Sequence, residues 1–543
     1  MLESAAVRKI PVRTLVLALL SGGLQILMFP KPGLYLLGWI ALAPLLFALL
    51  RGQGSPGALL DSEGRALHPL TLGQGFFVAW LSGLVWYYGT CYWVCPTMIR
   101  YGNLAVPVAA LITMVAGFAM ALHHGVFGML VVLMARRSAS GNRRPLLMAP
   151  FFWVAIELVR DRISGFPWNL LGYTQVDNIP FARIAEVTGV YGLSFAIVLV
   201  NCAFAAAFLI YGKQRRTNLL ISAVASAVAL QVGVLVKPAP YTHDQEAVLV
   251  QHNAPVLDSP WTLPQFDQLI GELSKLTVQA SPKNPAGKPG LIVWPESPAP
   301  FFASDPRLQR WLRAIAEGSY SYLIVGSVGT PENQDPRGPQ LLLNSALIVG
   351  PGGELIGRYD KIHLAPFGEY VPFKNVLSFA SKLTREVGDF TPGTERKVFN
   401  LNGTRVGVII CYESVFGNEV REFTVNGAQV LVNISDDMWF GESSGPFQHL
   451  QMTRMRAVEN HRWILLTTNS GTTAVIDPSG RIVKQAERNV RTALLAPFSA
   501  DSHMTFYSRF GDLFAWMCVV ISCLAVLVRF QIPARTTVEV RPA

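Results

Sequence analysis

Charge is scarce in this sequence. Aspartate, glutamate, lysine and arginine make up 15% of its 543 residues, whereas 51% are hydrophobic, and the mean hydropathy is +0.35. That balance excludes an ordinary soluble protein and points to a membrane protein with a sizeable soluble part. The length implies more than one domain. Cysteine is sparse too. Cys91, Cys95, Cys202, Cys411, Cys518 and Cys523 form neither a disulfide framework nor a zinc pattern. Five lie in apolar segments, with Cys91 and Cys95 spaced as on one helix face. Only Cys411 falls in the soluble region. There is no Gly-rich phosphate loop, so nucleotide binding has no support. Internal repeats and long low-complexity tracts are also missing. No set of His, Cys and acidic residues has metal spacing, so neither a metal nor a cofactor is expected. The net charge of +10 lies mostly in short clusters beside apolar runs. This is the pattern of membrane orientation, and no nucleic-acid partner is expected.

What the sequence does contain is apolar runs. They cover 12–29, 34–50, 76–95, 104–135, 146–159, 184–210, 219–236 and 513–528, which predicts eight membrane spans. The first follows Arg8, Lys9 and Arg13 and competes with a signal peptide. No small-x-small cleavage site follows it, and Lys31-Pro32 leads straight into the second run, so both read as uncleaved spans. With the N-terminus inside, the inner segments carry fifteen basic residues: Arg8, Lys9, Arg13, Arg51, Arg65, Arg136, Arg137, Arg143, Arg144, Lys213, Arg215, Arg216, Arg529, Arg535 and Arg541. The outer loops carry five: Lys31, Arg100, Arg160, Arg162 and Arg183. This bias predicts cytoplasmic termini and an extracytoplasmic segment between the last two spans. The expected domains are therefore a membrane domain at 1–237, an extracytoplasmic domain at 238–510, and a last span with its tail at 511–543.

The segment 246–497 has a different texture. Short β-rich runs at 247–251, 290–294, 322–326, 345–349, 405–411, 430–434 and 463–468 alternate with helix-like stretches at 261–279, 307–318 and 446–461. That order predicts an α/β domain, with Pro/Gly-rich loops at 281–289 and 331–339.

Three stretches of this domain hold chemistry. Residues 406–416 read V-G-V-I-I-C-Y-E-S-V-F, a strand running into a thiol. Alternation puts Val406, Val408 and Ile410 on one face, and Gly407, Ile409 and Cys411 on the other. Residues 291–298, L-I-V-W-P-E-S-P, place Glu296 just past a second strand. Residues 358–373, R-Y-D-K-I-H-L-A-P-F-G-E-Y-V-P-F, hold Lys361 and Glu369. Taken singly, each has a bland reading: a buried structural cysteine, a loop glutamate, a surface lysine. Taken jointly they supply thiol acyl chemistry. A carboxylate takes the thiol proton and returns it to a leaving group, while a cation favours the thiolate and an oxyanion.

These motifs resemble the nitrilase superfamily, whose members use a Glu–Lys–Cys triad. The H-L-x-P-F-G-E-Y-V-P and C-Y-E-S forms, the eight runs, and F-P-W-N-L-L-G-Y at 166–173 and G-V-Y-G-L-S-F at 189–195 narrow the resemblance. It becomes one to its membrane-bound branch, the bacterial apolipoprotein N-acyltransferases. The resemblance implies an eight-span helical bundle carrying a periplasmic α-β-β-α sandwich in the bacterial inner membrane. Residue by residue, it makes Glu296 the general base, Lys361 the oxyanion-stabilising cation and Cys411 the nucleophile. Glu369 becomes the second glutamate that orients Lys361 or helps move protons. Tyr412 and Glu413 match further residues that family members need, and Trp261 matches a lipid-contacting tryptophan. The implied partners are a phospholipid acyl donor, a diacylated apolipoprotein acceptor and the bilayer. A monomer is expected, because the tether obstructs the dimer packing of soluble relatives. Two other functions fit the same residues: a membrane-anchored amidase, and a non-catalytic scaffold or transporter.

Other conspicuous residues read as structural. His363 is expected to satisfy a backbone carbonyl. His123-His124 reads as a helix break or a water-facing pair. Glu157 is expected to face the bundle or to pair with Arg160. Trp86-Tyr87-Tyr88 and Tyr92-Trp93 read as an interfacial aromatic belt. Arg454, Arg456, Glu459 and Arg462 read as a salt-bridged helix face.

Overall fold

The computed structural model describes residues 9–52, 67–101, 104–135, 144–209, 213–236, 239–254, 262–280, 288–296, 301–331, 341–366, 368–370 and 390–531. Trp261 lies outside the described residues. Four described helices are long and apolar enough to cross a bilayer: Val106–Ala135, Val190–Leu209, Lys213–Leu235 and Leu513–Gln531. The other four apolar runs also form helix, in shorter or less apolar pieces. They are Val12–Leu27, Ala43–Arg51 behind the 3-10 turn Tyr35–Trp39, Leu72–Thr90 and Arg144–Val159. Composition explains the shortfall. The run 34–50 breaks at residues 40–42, and Pro44 sits in the first turn of the helix that follows, where its missing N–H leaves nothing unpaired. Apolar residues such as Val106, Leu111, Val115 and Leu122 on one helix, and Val520, Leu524 and Leu527 on another, stay exposed. That is the surface lipid covers.

The helix Leu72–Thr90 packs on Val106–Ala135 through small residues. A Cβ at Gly128 would sit 2.5 Å from the carbonyl oxygen of Gly75 and 2.4 Å from the Cβ of Ala79. This close approach is typical of packing between helices in a bilayer. It corrects three expectations. Trp86, Tyr87 and Trp93 are buried inside the bundle and form no interfacial belt, though Tyr92 stays exposed. The helix Val106–Ala135 runs unbroken through His123-His124. His124 is buried, and its Nε2 lies 3.3 Å from Gln25 Oε1, because the bundle supplies the partner that water was expected to supply. Cys91 caps the helix Leu72–Thr90 and Cys95 belongs to the separate short helix Val94–Arg100, so they share no helix face. Glu157 does face the bundle, accepting hydrogen bonds from Trp153 Nε1 at 2.9 Å and the Leu171 N–H at 2.8 Å.

The soluble part is two six-stranded sheets packed face to face. One has the order β12-β1-β2-β3-β4-β5 and the other β11-β10-β9-β8-β7-β6. The strands are β1 Gln245–Gln251, β2 Gly290–Val293, β3 Ser321–Gly329, β4 Leu343–Val349, β5 Leu355–Asp360, β6 Val398–Leu401, β7 Thr404–Ile410, β8 Val430–Ser435, β9 Trp463–Thr468, β10 Ala474–Ile476, β11 Ile482–Gln485 and β12 Thr492–Phe498. The seven apolar runs of the sequence are β1–β4 and β7–β9. The strands that the apolar pattern missed include all four sheet edges: β5, β6, β11 and β12. β5, β6 and β11 are short and partly polar, as edge strands often are, whereas β12, T-A-L-L-A-P-F, is as apolar as a central strand and the pattern simply passed over it.

Ala247, Leu249, Leu291 and Val293 of the first sheet meet Val406, Val408 and Ile410 of the second in a shared core. Val248, Val250 and Ile292 pack under the helices Leu263–Ala280 and Pro306–Ser319. The helices Gly417–Val425 and Gly445–Asn460 belong to the second sheet's outer layer.

The Gly445–Asn460 helix also faces the membrane domain. Apart from Phe447 and Arg454, every residue in it is buried. Leu450 and Ala457 join the sandwich core, while Met452, Met455 and Val458 join the core of the bundle. Polar bonds fix this seam. Gln448 Oε1 accepts from the indole N–H of Trp168 at 2.7 Å and of Trp93 at 3.1 Å, and its Nε2 donates to the Thr90 carbonyl. Arg456 pairs with Glu459 at 3.0 Å. Glu459 accepts the Val190 N–H, and Arg456 donates to the Tyr173 hydroxyl. Of the salt-bridged face read from the sequence, Arg456 and Glu459 thus form a buried joint, while Arg454 pairs with Asp177 and Arg462 lies past the helix end, where it donates to the Ala428 carbonyl. Replacing Gln448 with leucine strands two indole N–H groups, each at a cost of about 1–3 kcal/mol. Gln448→Leu should therefore melt several degrees below the parent in detergent; an unchanged melting temperature would remove Gln448 from the joint.

Candidate active site

The residues expected to carry chemistry converge on one end of the sandwich. Glu296 follows β2, Lys361 follows β5, and Cys411 follows β7; Asn344 opens β4, and Asp436 follows β8. Register explains the convergence. β4 runs antiparallel to both β3 and β5, so its start lies beside the ends of its neighbours. β7 and β8 are parallel and end together.

Lys361 is 1% exposed. Its Nζ lies 3.0 Å from Glu369 and 3.3 Å from Glu296 Oε1. Burial opposes its charge, but Glu296, Glu369 and the neighbouring Cys411 hold its pKa above the ordinary lysine range. Asn344 Nδ2 donates to both carboxylates, at 2.6 Å to Glu296 and 2.5 Å to Glu369. The second oxygen of Glu296 accepts the backbone N–H of Asp436 at 3.0 Å. That of Glu369 accepts the Ala365 N–H at 2.6 Å. Each carboxylate is therefore oriented on both oxygens.

Cys411 is not the last residue of its strand. β7 ends at Ile410, and Cys411 takes a left-handed conformation, φ 51°, at the head of the 3-10 turn Cys411–Val415. The alternation expected along the strand stops one residue early. The turn, and not the pleat, now aims the thiol. A non-glycine residue held at positive φ stores strain, and such strain clusters at functional sites. Asn433, fully buried in β8, accepts the Cys411 N–H at 3.0 Å. Cys411 is partly exposed. Desolvation pushes its thiol pKa well above normal. Glu296 and Asp437 add to that rise, while Lys361 and a Ser435 hydrogen bond oppose it. The site thus makes the resting thiol harder to ionise.

Glu413 sits behind this centre as a clamp. Its Oε1 accepts from the Tyr359 hydroxyl and the Ile362 N–H at 2.7 Å each, and from the His363 N–H at 3.2 Å. Its Oε2 accepts the Ile410 N–H at 2.8 Å. One buried carboxylate thus ties the strand end before Cys411 to the segment carrying Lys361. Burial raises its pKa to about 6 against those hydrogen bonds. Tyr412 turns the other way, towards the membrane domain. Its hydroxyl donates to the Gly165 carbonyl at 3.0 Å, and its ring stacks on Trp168 at 6.4 Å. The ring of His363 lies on Phe416 at 4.2 Å, and its Nδ1 finds no hydrogen-bond partner among the described residues.

Sequence reasoning missed Asn344, Asn433, Asp436, Asp437 and His449. The asparagines did leave a signal. Each is a lone carboxamide inside a strand otherwise built of Leu, Ile, Val and small residues, and a buried amide needs a partner. Asp436, whose pKa burial and Glu296 raise to about 7, left none.

Comparison with known proteins agrees with this architecture. Residues 21–203 match the apolipoprotein N-acyltransferase N-terminal domain, and residues 247–502 match the carbon-nitrogen hydrolase family. The second half has the nitrilase-superfamily fold, and the first half is a helical membrane region. An apolipoprotein N-acyltransferase of Geobacter metallireducens is 34% identical over 96% of this chain and 96% of its own length. One of Bradyrhizobium diazoefficiens is 29% identical over 95% and 94%. Among solved structures, a Nesterenkonia amidase of the nitrilase superfamily is 21% identical, covering 50% of this chain and 95% of its own, with a TM-score of 0.36. The chain belongs to the apolipoprotein N-acyltransferase family.

Proposed function

We propose that the protein transfers a fatty acyl chain from a membrane phospholipid to the α-amino group of the N-terminal S-diacylglyceryl-cysteine of an apolipoprotein. One observation carries this reading. A strained, partly exposed thiol stands beside a buried lysine bracketed by two glutamates, in a chain whose relatives carry that name over nearly their full length.

In the first step Glu296 takes the proton from the Cys411 thiol. The sulfur attacks the ester carbonyl carbon of the phospholipid and a C–S bond forms. Lys361 and the Tyr412 N–H, in the first turn of the Cys411–Val415 helix, stabilise the oxyanion; the Cys411 N–H is already taken by Asn433. The ester C–O bond then breaks, Glu296 returns its proton to the departing alkoxide, and a lysophospholipid leaves. In the second step the amine of the acceptor attacks the thioester carbon and Glu296 takes a proton from the nitrogen. The C–S bond breaks and Glu296 reprotonates the sulfur. Glu369 holds Lys361, and Glu413 holds the two active segments together. Tyr412 links the thiol's turn to the membrane domain. No cofactor is needed, because every proton shuttles through Glu296.

The architecture that serves this reaction has eight spans: seven in 1–237, and one in 511–543 after the catalytic domain 238–510. Both termini are cytoplasmic and the catalytic domain is periplasmic, as the basic-residue bias supports. Tethered at both ends, the monomer keeps its thiol near the outer leaflet of the inner membrane, where both lipidated substrates lie.

Incubating the protein with phospholipid and measuring its intact mass tests the chemistry. An adduct of one acyl chain should form, disappear when the diacylated acceptor is added, and be absent in Cys411→Ala. Turnover of small amides without an adduct would sink the transferase reading. Lys361→Met should form no adduct and lose about 3–5 kcal/mol of stability, since it leaves two buried carboxylates unpaired. Glu413→Gln should unfold at lower denaturant by about 1–3 kcal/mol, because its amide turns a donor towards backbone N–H groups. The orientation is checked at Leu355, which is 59% exposed. A cysteine placed there should react with a membrane-impermeant maleimide in intact spheroplasts.

A further inference from the structure

Beside the ion cluster lies a second buried group of titratable side chains that the steps above do not use. His449 and Asp437 are 1% and 2% exposed. His449 Nδ1 lies 2.9 Å from Asp437 Oδ1, which also accepts the Ser435 hydroxyl at 2.8 Å. His449 Nε2 lies 3.2 Å from the carbonyl oxygen of Cys411 and 2.8 Å from Ser414 Oγ. The Cys411 carbonyl thus closes on the Asp437 carboxylate through His449. Ser414, His449 and Asp437 have the spacing of a hydrolytic triad. However, Ser414 is fully buried and no substrate reaches it, so the histidine acts on something else.

That something is a peptide group. The Cys411 carbonyl and the Tyr412 N–H belong to one planar unit. The residue after a nucleophile is the usual source of a backbone oxyanion donor on such turns. A donor placed on the carbonyl oxygen polarises the peptide and strengthens its N–H as a donor, because hydrogen bonds in a chain reinforce one another. A protonated imidazole is the strongest donor available here. Burial disfavours its charge, but Asp437 and the Cys411 carbonyl outweigh that and raise the ring's pKa above the ordinary histidine value. The other groups facing it carry no charge. Trp168 stacks on the ring, Phe440 tilts against it, and Ser414 bonds to Thr453 of its own helix. The remaining ionisable neighbours are Glu296 and the Cys411 thiol.

We propose that His449, held by Asp437, is a positioning residue that fixes the left-handed turn at Cys411 and polarises the Cys411–Tyr412 peptide. Its N–H then binds the oxyanion of both tetrahedral intermediates. This rests on the acyl-transfer reading, and it separates two reactions of the same thiol. Acylation passes through an oxyanion, whereas alkylation by iodoacetamide displaces iodide and forms none.

The test follows both reactions in the full-length protein, by intact mass, for the parent, His449→Leu, His449→Gln and Asp437→Asn. Leucine should slow acylation by phospholipid about 10–100-fold, below the loss of a whole oxyanion donor, while alkylation changes less than about threefold. Glutamine, whose amide N–H reaches the same place without charge, should recover part of that loss. Asp437→Asn nearly preserves shape, and it carries the comparison should the leucine variant fail to fold. The parent's acylation rate should fall as pH rises through deprotonation of His449, and His449→Gln should lack that decline. Acylation at the parental rate in His449→Leu or Asp437→Asn, or an equal slowing of both reactions, overturns the proposal. An acyl adduct missing from the parent counts instead against acyl transfer itself.

Discussion

The site depends on keeping one ammonium group out of water. An unpaired buried lysine would shed its proton, since the cost of a lone charge in a low-dielectric interior runs to several kcal/mol. Lys361 keeps its proton because Glu296 and Glu369 stand within 3.3 Å and 3.0 Å of it. Asn344 fills the space between the two carboxylates. That demand dictates much of the local fold. Three strand termini from one sheet must meet, and the loop carrying Glu369 must fold back onto the strand end that precedes it.

The arrangement of charge in this cluster suits the proposed transfer. In the proposed first step a proton passes from Cys411 to Glu296, so charge is moved within the cluster and not added to it. As the sulfur attacks, the negative charge moves on to the substrate oxygen, near Lys361. Burial raises the thiol pKa at rest, which the cation and donors already in place must offset. A preorganised set of charges that need not move is what makes such sites effective in a dry environment.

The second constraint is the joint with the membrane domain. Tyr412, next to the thiol, bonds to Gly165, and the Gly445–Asn460 helix serves both cores at once. That double duty gives the helix its composition. A helix exposed on one side would show a polar stripe, whereas this one is buried except at Phe447 and Arg454 and uses Gln448, His449, Arg456 and Glu459 as internal partners. In the sequence these residues look like an ordinary solvated face. Only a second surface, folded from residues more than 250 positions away, turns them into a core.

Apolar runs, basic clusters and three motifs carried a good deal of this protein in the sequence alone. Long-range burial needs continuous apolar stretches, so central strands and the longest helices announce themselves locally. Glu296, Lys361, Glu369 and Cys411 stood out because ionisable groups beside apolar strands need a reason to be there. Edge strands, the buried aromatic residues of the bundle, and the asparagines and His449 around the thiol did not stand out. Their environment is made by segments distant in sequence, and a side chain's own neighbours do not encode it. The conformation of Cys411 belongs to the same class. Its left-handed turn is imposed by Asn433 on its N–H, His449 on its carbonyl and Glu413 across the strand ends. The sequence determined which chemical groups are present. The tertiary structure decided which of them are dry, paired and aimed, because burial and hydrogen bonding are properties of the packed chain.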